Sequence, residues 1–208
     1  MGNTEELKDM IEKLSQFPHK QRKQNYQGYF IGSEYVPGSR DTLSRMKLMN
    51  IPENMERLSV LDIGCNLGSI AMECYRRGAR KITGIDSEKD YIDCAKALAI
   101  HNGYSINFHV MNIMNIYESS KNISSHYKGP IDIIFMLSIY KHVKESMFLL
   151  LDKIEWKTAY VESHNAPELL ETQHVKEMLD HMHKRNWNVE HIGTDYTRSP
   201  RIIFKVTK

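Results

Sequence analysis

The spacing of apolar residues predicts two helices near the N-terminus of the chain. Over residues 4–15, apolar side chains recur every three or four positions, at Leu7, Met10, Ile11 and Leu14. This is the period of a helix with one buried face. A segment rich in aromatic residues and glycine follows at 24–40 and predicts a loop, because glycine and proline interrupt regular structure. A second helix is expected at about 41–49.

Farther along the chain, short apolar runs alternate with helical patterns. The runs that predict strands are 59–63, 81–85, 107–111, 131–136, 158–162, 189–194 and 201–206. The helical patterns lie at about 68–77, 88–101, 143–152 and 168–185. Such alternation is typical of a mostly parallel sheet with helices on both faces. The polar stretch 119–125 predicts a loop.

The last two apolar runs are joined differently from the others. No helical pattern separates them, and the connection at 195–200 has a length that suits a hairpin. We therefore predict that the last strand is antiparallel. The chain of 208 residues is long enough for one sizeable core. We expect a seven-stranded α/β domain at 58–208, and at 1–57 an N-terminal extension of helix and aromatic loop that covers its substrate side.

Composition favours a soluble, cytoplasmic protein. Hydrophobic residues make up 41% and charged residues 26%, and no apolar run approaches the roughly 20 residues of a membrane-spanning helix. The three cysteines form neither a disulfide framework nor a zinc motif, so no metal is expected. The first residues lack the pattern of a secretory signal. A formal net charge of +2 gives weak attraction to nucleic acid and leaves the partner open.

A turn with two glycines follows the first strand of the predicted sheet. Residues 60–63 lead directly into Gly64-Cys65-Asn66-Leu67-Gly68, and glycines let a backbone turn tightly and approach a ligand closely. Asp86 closes the next predicted strand, about 20 residues later, where a carboxylate can accept both hydroxyl hydrogens of a ribose. The sequence therefore predicts a nucleoside site at the carboxyl edge of the sheet.

Two other nucleotide motifs fit this segment less well. The nicotinamide-type GxGxxG motif requires glycines where Asn66 and Ser69 stand, so a pyrophosphate would be poorly held. A P-loop is excluded, because no Gly-Lys-Ser/Thr follows the turn.

Residues 60–68, followed by Gly84-Ile85-Asp86, resemble motif I and the acidic residue after it in the class I, Rossmann-like S-adenosylmethionine-dependent methyltransferases. The resemblance covers roughly 58–164 and implies a methyltransferase that uses S-adenosylmethionine and releases S-adenosylhomocysteine. It implies that Asp86 binds the ribose and that Asn112 contacts the adenine amine, where the family more often has Asp. The remaining cofactor-binding residues that it implies are Asp62, Gly64, Cys65, Asn66, Gly68, Ser87, Ile113 and Leu137.

The end of the fourth predicted strand, 135–143, resembles the motif IV region, which lines the gap between the methyl group and the acceptor. Methyl transfer depends mainly on alignment, and a protein base is needed only when the acceptor must lose a proton. His142 is the best candidate for such a base. Tyr140 on the same segment, and Glu162 and His164 after the fifth strand, are further catalytic candidates. For each of them, packing or hydrogen bonding within the fold is the alternative.

The aromatic segment 26–40 lies where methyltransferases of this class commonly fold over the cofactor. The guanidinium group of Arg40 has paired N–H donors whose geometry matches a carboxylate. We therefore expect Arg40 to bind the cofactor's carboxylate or an acidic acceptor. A surface ion pair with Asp41 or Glu34 is the alternative. Tyr29 is expected to stack on a bound ring or to pack on the sheet.

A more limited similarity connects the chain to the RNA methylphosphate capping branch, through Tyr26, Tyr29, Arg40, 61–66 and Leu137-Ser138. The chain departs from that branch at His142, where a tryptophan is expected, and lacks its basic excess. A small molecule, sugar or lipid precursor, methylated on oxygen or nitrogen, is therefore favoured over an RNA base or 5′ phosphate. A non-catalytic binding protein of this fold is a third possibility. The acceptor's identity and the oligomeric state stay open.

Overall fold

The computed structural model describes residues 4–15, 26–164, 172–197 and 199–208. The strands are β1 (Tyr29–Ile31), β2 (Glu34–Val36), β3 (Ser59–Ile63), β4 (Lys81–Asp86), β5 (Asn107–Val110), β6 (Ile131–Met136), β7 (Trp156–Glu162), β8 (Asn188–Asp195) and β9 (Arg201–Thr207). The helices are α1 (Thr4–Ser15), α2 (Thr42–Leu48), α3 (Ser69–Arg76), α4 (Lys89–His101), α5 (Ile116–Ser125), α6 (Tyr140–Val143), α7 (Ser146–Lys153) and α8 (Gln173–His183).

Within these ranges, seven strands form one mixed sheet in the order β5-β4-β3-β6-β7-β9-β8. Strands β3 to β7 run parallel, whereas β9 is antiparallel to both of its neighbours. The predicted fold class and the antiparallel last strand are confirmed. From β3 the chain moves outward to β4 and β5 and then returns to the other side of β3 for β6. Such a reversal opens a crevice at the carboxyl ends of the strands, where ligands of this fold class bind.

Hydrophobic layers cover both faces of the sheet because successive strand residues point to opposite sides. In β3, Val60 belongs to one buried cluster and Leu61 to the other. The first cluster includes side chains of α1, α3 and α4, and the second includes side chains of α5, α7 and α8. Since both faces of the sheet are covered, a ligand can reach it at the ends of the strands.

The segment before β3 packs on the first of these layers. Leu7 and Ile11 of α1 are buried in the cluster that also contains side chains of α4. At the end of α4, the side chain of Asn102 accepts a hydrogen bond from Gly32 N at 2.6 Å and donates one to Phe30 O at 2.9 Å. This amide holds the β1–β2 hairpin against the domain.

Two local predictions were wrong. A two-stranded hairpin, β1–β2, stands where the aromatic segment predicted a loop. The stretch 119–125, predicted as a polar loop, belongs to helix α5. Ser119 and Ile123 of this helix are buried, and the Ser119 hydroxyl donates to the carbonyl of Asn112 at 3.1 Å. A narrow buried stripe thus suffices for a helix that is otherwise polar.

Other boundaries differ by a few residues. The pattern at 143–152 corresponds to α7, preceded by the short helix α6, and the pattern at 168–185 corresponds to α8. The first part of that last prediction, 168–171, lies outside the described residues. None of the helices in the described ranges is long and apolar enough to cross a membrane.

Candidate functional site

A cavity of about 600 Å³ opens at the carboxyl edge of the sheet, at the reversal between β3 and β6. The turn after β3, the end of β4 and the segments after β5 and β6 supply most of its wall, and the start of β9 contributes Arg201. Because parallel strands end at the same edge, residues that are distant in sequence meet here. Of the predicted site residues, the cavity is lined by Gly64, Asn66, Asp86, Ser87, Asn112, Ile113, Leu137, His142 and His164.

The glycine turn has backbone geometry that other residues adopt only with strain. Gly64 has φ of 74°, and a Cβ atom there would lie 2.3 Å from Cγ2 of Ile139. Gly68, at the start of α3, has φ of 76° and packs against Phe108, where a Cβ would lie 2.5 Å from the ring. Gly64 lines the cavity, whereas Gly68 serves the packing of the turn on the sheet. Cys65 is fully buried and does not line the cavity.

Asp86 is oriented toward the cavity by backbone groups. Its Oδ2 accepts a hydrogen bond from Asn66 N at 2.9 Å, and its Oδ1 accepts one from Glu88 N at 3.0 Å. Gly64 N and Cys65 N in turn donate to the carbonyl of Ile85, at 2.8 and 2.9 Å. The glycine turn and the carboxylate are therefore joined, and both face one cavity.

Asp62 lies within β3 and does not line the cavity. Its side chain is buried, and Oδ2 has no hydrogen-bond partner among the described residues. Burial raises the pKa of this carboxyl to about 7, against the opposing attraction of Arg45. An unpaired carboxylate oxygen is costly in the interior, which is why burial favours the neutral form of Asp62.

The segment after β5 lines the cavity beyond Asp86. Asn112 forms a local turn, in which its Oδ1 accepts from Met114 N at 3.0 Å. Ile113 is buried beside it, and Leu137 lines the wall after β6. Sequence reasoning missed Glu88, Asp90 and Tyr91, which line the cavity around the start of α4.

Two histidines line the other end of the cavity. The ring centroids of His142 and His164 are 5.5 Å apart in an edge-to-face arrangement. Burial lowers the pKa of His164 to about 3, and the positive charges of Arg201 and of a protonated His142 act in the same direction. His164 is therefore neutral near pH 7 and a weak proton acceptor. Its Nδ1 is buried and has no hydrogen-bond partner among the described residues.

A buried network of charged side chains lies behind these histidines. Arg45 Nη2 donates to Glu162 Oε2 at 3.0 Å, and the Ser138 hydroxyl hydrogen bonds to the same carboxylate. Arg201 Nη1 donates to Ser138 Oγ and, at 2.8 Å, to the hydroxyl of Tyr26. This network connects the N-terminal segment, β6, β7 and β9 at one edge of the sheet.

Besides Asp62, Cys65 and Gly68, four more of the predicted site residues do not line the cavity. Glu162 is fully buried as the acceptor of Arg45 and Ser138. Tyr140 is buried, and its hydroxyl donates to Glu177 Oε2 at 3.3 Å. Tyr29 packs in the core, where burial raises its pKa. Arg40 is fully buried.

The alternative surface pair for Arg40, with Asp41 or Glu34, was also wrong. Its Nη1 donates to Asp195 Oδ2 at 2.9 Å, and its Nη2 donates to the carbonyl and hydroxyl of Ser199 at 3.1 Å. Arg40 therefore holds the β8–β9 connection. A buried guanidinium requires such partners because an unpaired charge is costly in the interior.

Sequence reasoning also missed Tyr26, Ser138 and Arg201 as cavity residues. One signal was available for Arg201. An antiparallel last strand begins at the edge where its parallel neighbours end, so its first residue belongs to the site. Tyr26 carries no comparable local signal.

Comparisons with known proteins are consistent with this geometry. Residues 60–154 match a family model described as a methyltransferase domain. Over 84 residues the chain is 31% identical to the ubiquinone biosynthesis O-methyltransferase of Nitrosococcus oceani, a match that covers 40% of this chain and 32% of that protein. The chain thus spans about a third of the length of this relative.

Solved structures share the fold. The bifunctional kinase-methyltransferase WbdD superposes with a TM-score of 0.67 and 21% identity over 97% of this chain and 46% of WbdD. Magnesium protoporphyrin IX methyltransferase from Synechocystis PCC 6803, with S-adenosylmethionine bound, superposes with a TM-score of 0.59 and 16% identity over 80% and 78% of the two chains. At these identities the likeness concerns the fold alone.

Proposed function

This chain contains a class I, Rossmann-like S-adenosylmethionine-dependent methyltransferase domain, and we propose that it methylates an oxygen or nitrogen atom of a small acceptor such as a sugar or lipid precursor. One observation carries the proposal. The glycine turn after β3 and the carboxylate that ends β4 are hydrogen bonded to each other and line the same cavity. That combination suits a nucleoside, because the turn admits close approach and the carboxylate accepts hydroxyl hydrogens.

In this proposal the residues after β3, β4 and β5 hold the cofactor. Asp86 accepts the ribose hydroxyls, Asn112 and Ile113 bind the adenine side, and the backbone at Gly64 adjoins the methionine part. When bound, S-adenosylmethionine supplies a methyl carbon on a positively charged sulfur.

The residues after β6, β7 and at the start of β9 face the acceptor in this proposal. Their main task is to align the acceptor atom with the methyl carbon and to exclude water. His142 lines the cavity and is the candidate proton acceptor if the acceptor atom carries a proton. The low pKa of His164 makes that residue a poor base, so it is assigned to hydrogen bonding.

One of the similar proteins supports a small acceptor. By its name, it acts in ubiquinone biosynthesis as an O-methyltransferase. A low net charge of +2 also favours a small acceptor over RNA.

Calorimetric titration tests the cofactor half of the proposal. We expect S-adenosylmethionine and S-adenosylhomocysteine to bind, and Asp86→Ala to weaken both about 10- to 100-fold through loss of charge-assisted hydrogen bonds. Asp93→Ala is the matched control, because Asp93 lies in the helix that follows Asp86, α4, but pairs with Lys89 and does not line the cavity. Binding of NAD instead of either sulfur compound would overturn the proposal.

A transfer screen tests the acceptor half. Cofactor with a labelled methyl group is incubated with the protein and with separate pools of metabolites and RNA. We expect label in the metabolite pool. Label in RNA alone would replace the small acceptor with RNA, and cofactor binding without transfer to any pool would favour a non-catalytic binding protein.

A further inference from the structure

The buried network at the acceptor end of the cavity contains more positive than negative charge. Among the described residues it holds three buried guanidinium groups and two buried carboxylates: Arg40, Arg45, Arg201, Glu162 and Asp195. Another carboxyl, Asp62, acts on Arg45, but burial raises its pKa to about 7, so near neutral pH it is only partly ionised. Uncompensated charge in a protein interior is costly. The excess therefore needs a partner.

The existing contacts locate this excess at Arg201. Asp195 is engaged by Arg40 through Oδ2 at 2.9 Å and by Thr197 through Oδ1 at 2.8 and 2.7 Å. Glu162 pairs with Arg45 at 3.0 Å, whereas its oxygen lies 3.6 Å from Arg201 Nη1. Burial and then the charge of Arg201 lower the pKa of Arg40, so these two guanidiniums repel each other. Of the three guanidiniums, Arg201 is therefore the one whose nearest carboxylate oxygen lies beyond hydrogen-bond distance.

Arg201 is also the guanidinium of this network that lines the cavity. The side chain of Arg201 is 7% exposed, and its Nε has no hydrogen-bond partner among the described residues. The unpartnered Nδ1 of His164 lies in the same wall, and His142 adjoins it. Two unused buried nitrogen atoms therefore occur beside a positive charge.

The charges in the cavity are segregated by strand. The acidic residues that line it, Asp86, Glu88 and Asp90, lie at the end of β4 or just after it, on one side of β3. Arg201 and the two histidines follow or begin strands on the other side of β3. An anionic ligand group is attracted to the second end and repelled by the first.

We propose that the acceptor of this methyltransferase carries an oxyanion, a carboxylate or a phosphate, which Arg201 binds with His164 and His142 beside it. The inference rests on the proposed function and defines its acceptor class. An acceptor oxygen forms a bond to the methyl carbon while the carbon–sulfur bond breaks, and the electron pair of that bond stays on sulfur. The oxyanion loses one negative charge and the sulfonium its positive charge, so the step is balanced. No proton leaves the acceptor, and His142 acts in positioning instead of as a base.

The test measures anion binding in the protein saturated with S-adenosylhomocysteine. Inorganic phosphate, acetate and uncharged glycerol are titrated separately, followed by calorimetry and by the nuclear magnetic resonance signals of the histidine rings. We expect phosphate or acetate to bind and to shift the signals of His142 and His164, and glycerol to do neither. The stronger of the two anions identifies the acceptor group as phosphate or carboxylate.

Two variants assign the binding to Arg201. We expect Arg201→Gln to weaken anion binding at least 10-fold while the affinity for S-adenosylhomocysteine changes less than 3-fold, and Arg201→Lys to restore part of the anion affinity. Arg80→Gln, an exposed arginine outside the cavity, is the control. A loss of cofactor affinity in Arg201→Gln with anion binding unchanged would assign Arg201 to the cofactor's own carboxylate and overturn the inference.

The unaltered protein keeps the test decisive even if a variant fails to fold. Wild-type protein that binds S-adenosylhomocysteine but neither anion contradicts the oxyanion inference and leaves the methyltransferase proposal intact. Protein that does not bind S-adenosylhomocysteine contradicts the proposed function itself.

Discussion

The two ends of the cavity are built in different ways. The end that we propose for the cofactor consists of turns and strand ends between Gly64 and Ile113, where backbone groups orient the Asp86 carboxylate. The acceptor end joins Tyr26, Ser138 and Arg201 through side-chain hydrogen bonds that span 63 and 175 residues. The first end depends on local backbone geometry, and the second on a buried charge network. Removing an exposed charged side chain at the first end should therefore leave stability almost unchanged, whereas removing a charged side chain of the network should lower it.

The largest effect is expected where the network loses a carboxylate. Glu162→Ala leaves Arg45 without its acceptor and removes the carboxylate nearest to Arg201, so we expect the free energy of unfolding to fall by about 3–5 kcal/mol in urea denaturation. The control at the cofactor end is Glu88→Ala, whose exposed side chain lines the cavity. It should change stability by less than about 0.5 kcal/mol. Equal effects of the two substitutions would refute the difference between the ends.

A smaller effect is expected for the glycine turn. Gly64→Ala combines a positive φ with a contact of 2.3 Å to Ile139, so it should cost roughly 2–4 kcal/mol and abolish measurable cofactor binding. Gly32→Ala separates backbone strain from steric contact. Gly32 has φ of 59°, but a Cβ added there would meet no atom within 4 Å. We expect it to cost about 1 kcal/mol. If the double variant Gly64→Ala, Ile139→Ala regained no stability over Gly64→Ala, the steric explanation would be wrong.

The smallest effect concerns the pH dependence of stability at the acceptor end. The pKa of His164 is about 3 in the folded chain and 6.5 without these surroundings, because burial and the positive groups of Arg201, His142, Lys141 and His174 oppose protonation. The unfolded chain therefore binds this proton first as the pH falls. The stability that His164 contributes is complete above about pH 6.5 and decreases progressively toward pH 3.

Urea denaturation at pH 7.5 and pH 5 measures this dependence. We expect wild-type protein to lose more stability between the two values than His164→Asn, which has no titrating ring. An identical loss in both proteins would show that His164 is not held neutral by its surroundings.

The sequence was informative wherever a short segment carried the signal. Alternating apolar runs predicted the seven strands of the sheet, and the short connection after β8 predicted the antiparallel β9. The glycine turn and Asp86 were predicted to adjoin because parallel neighbouring strands end at the same edge. Helix α5 was missed because serine and asparagine dilute its apolar stripe, although burial of Ser119 and Ile123 is enough to hold it.

Short sequence segments did not predict which buried charged residues pair with each other. The residues after β3 indicate the glycine turn directly, because backbone conformation depends mainly on the residues that adopt it and their neighbours. Arg40 finds Asp195 across 155 residues, and Arg45 finds Glu162 across 117, so only the packing of α2 against the carboxyl edge of the sheet decides that these groups meet. The amino-acid pattern by itself thus determined the strands of the sheet and the glycine turn after β3. Tertiary structure decided which charges are paired in the interior and that one of them, Arg201, lines the cavity.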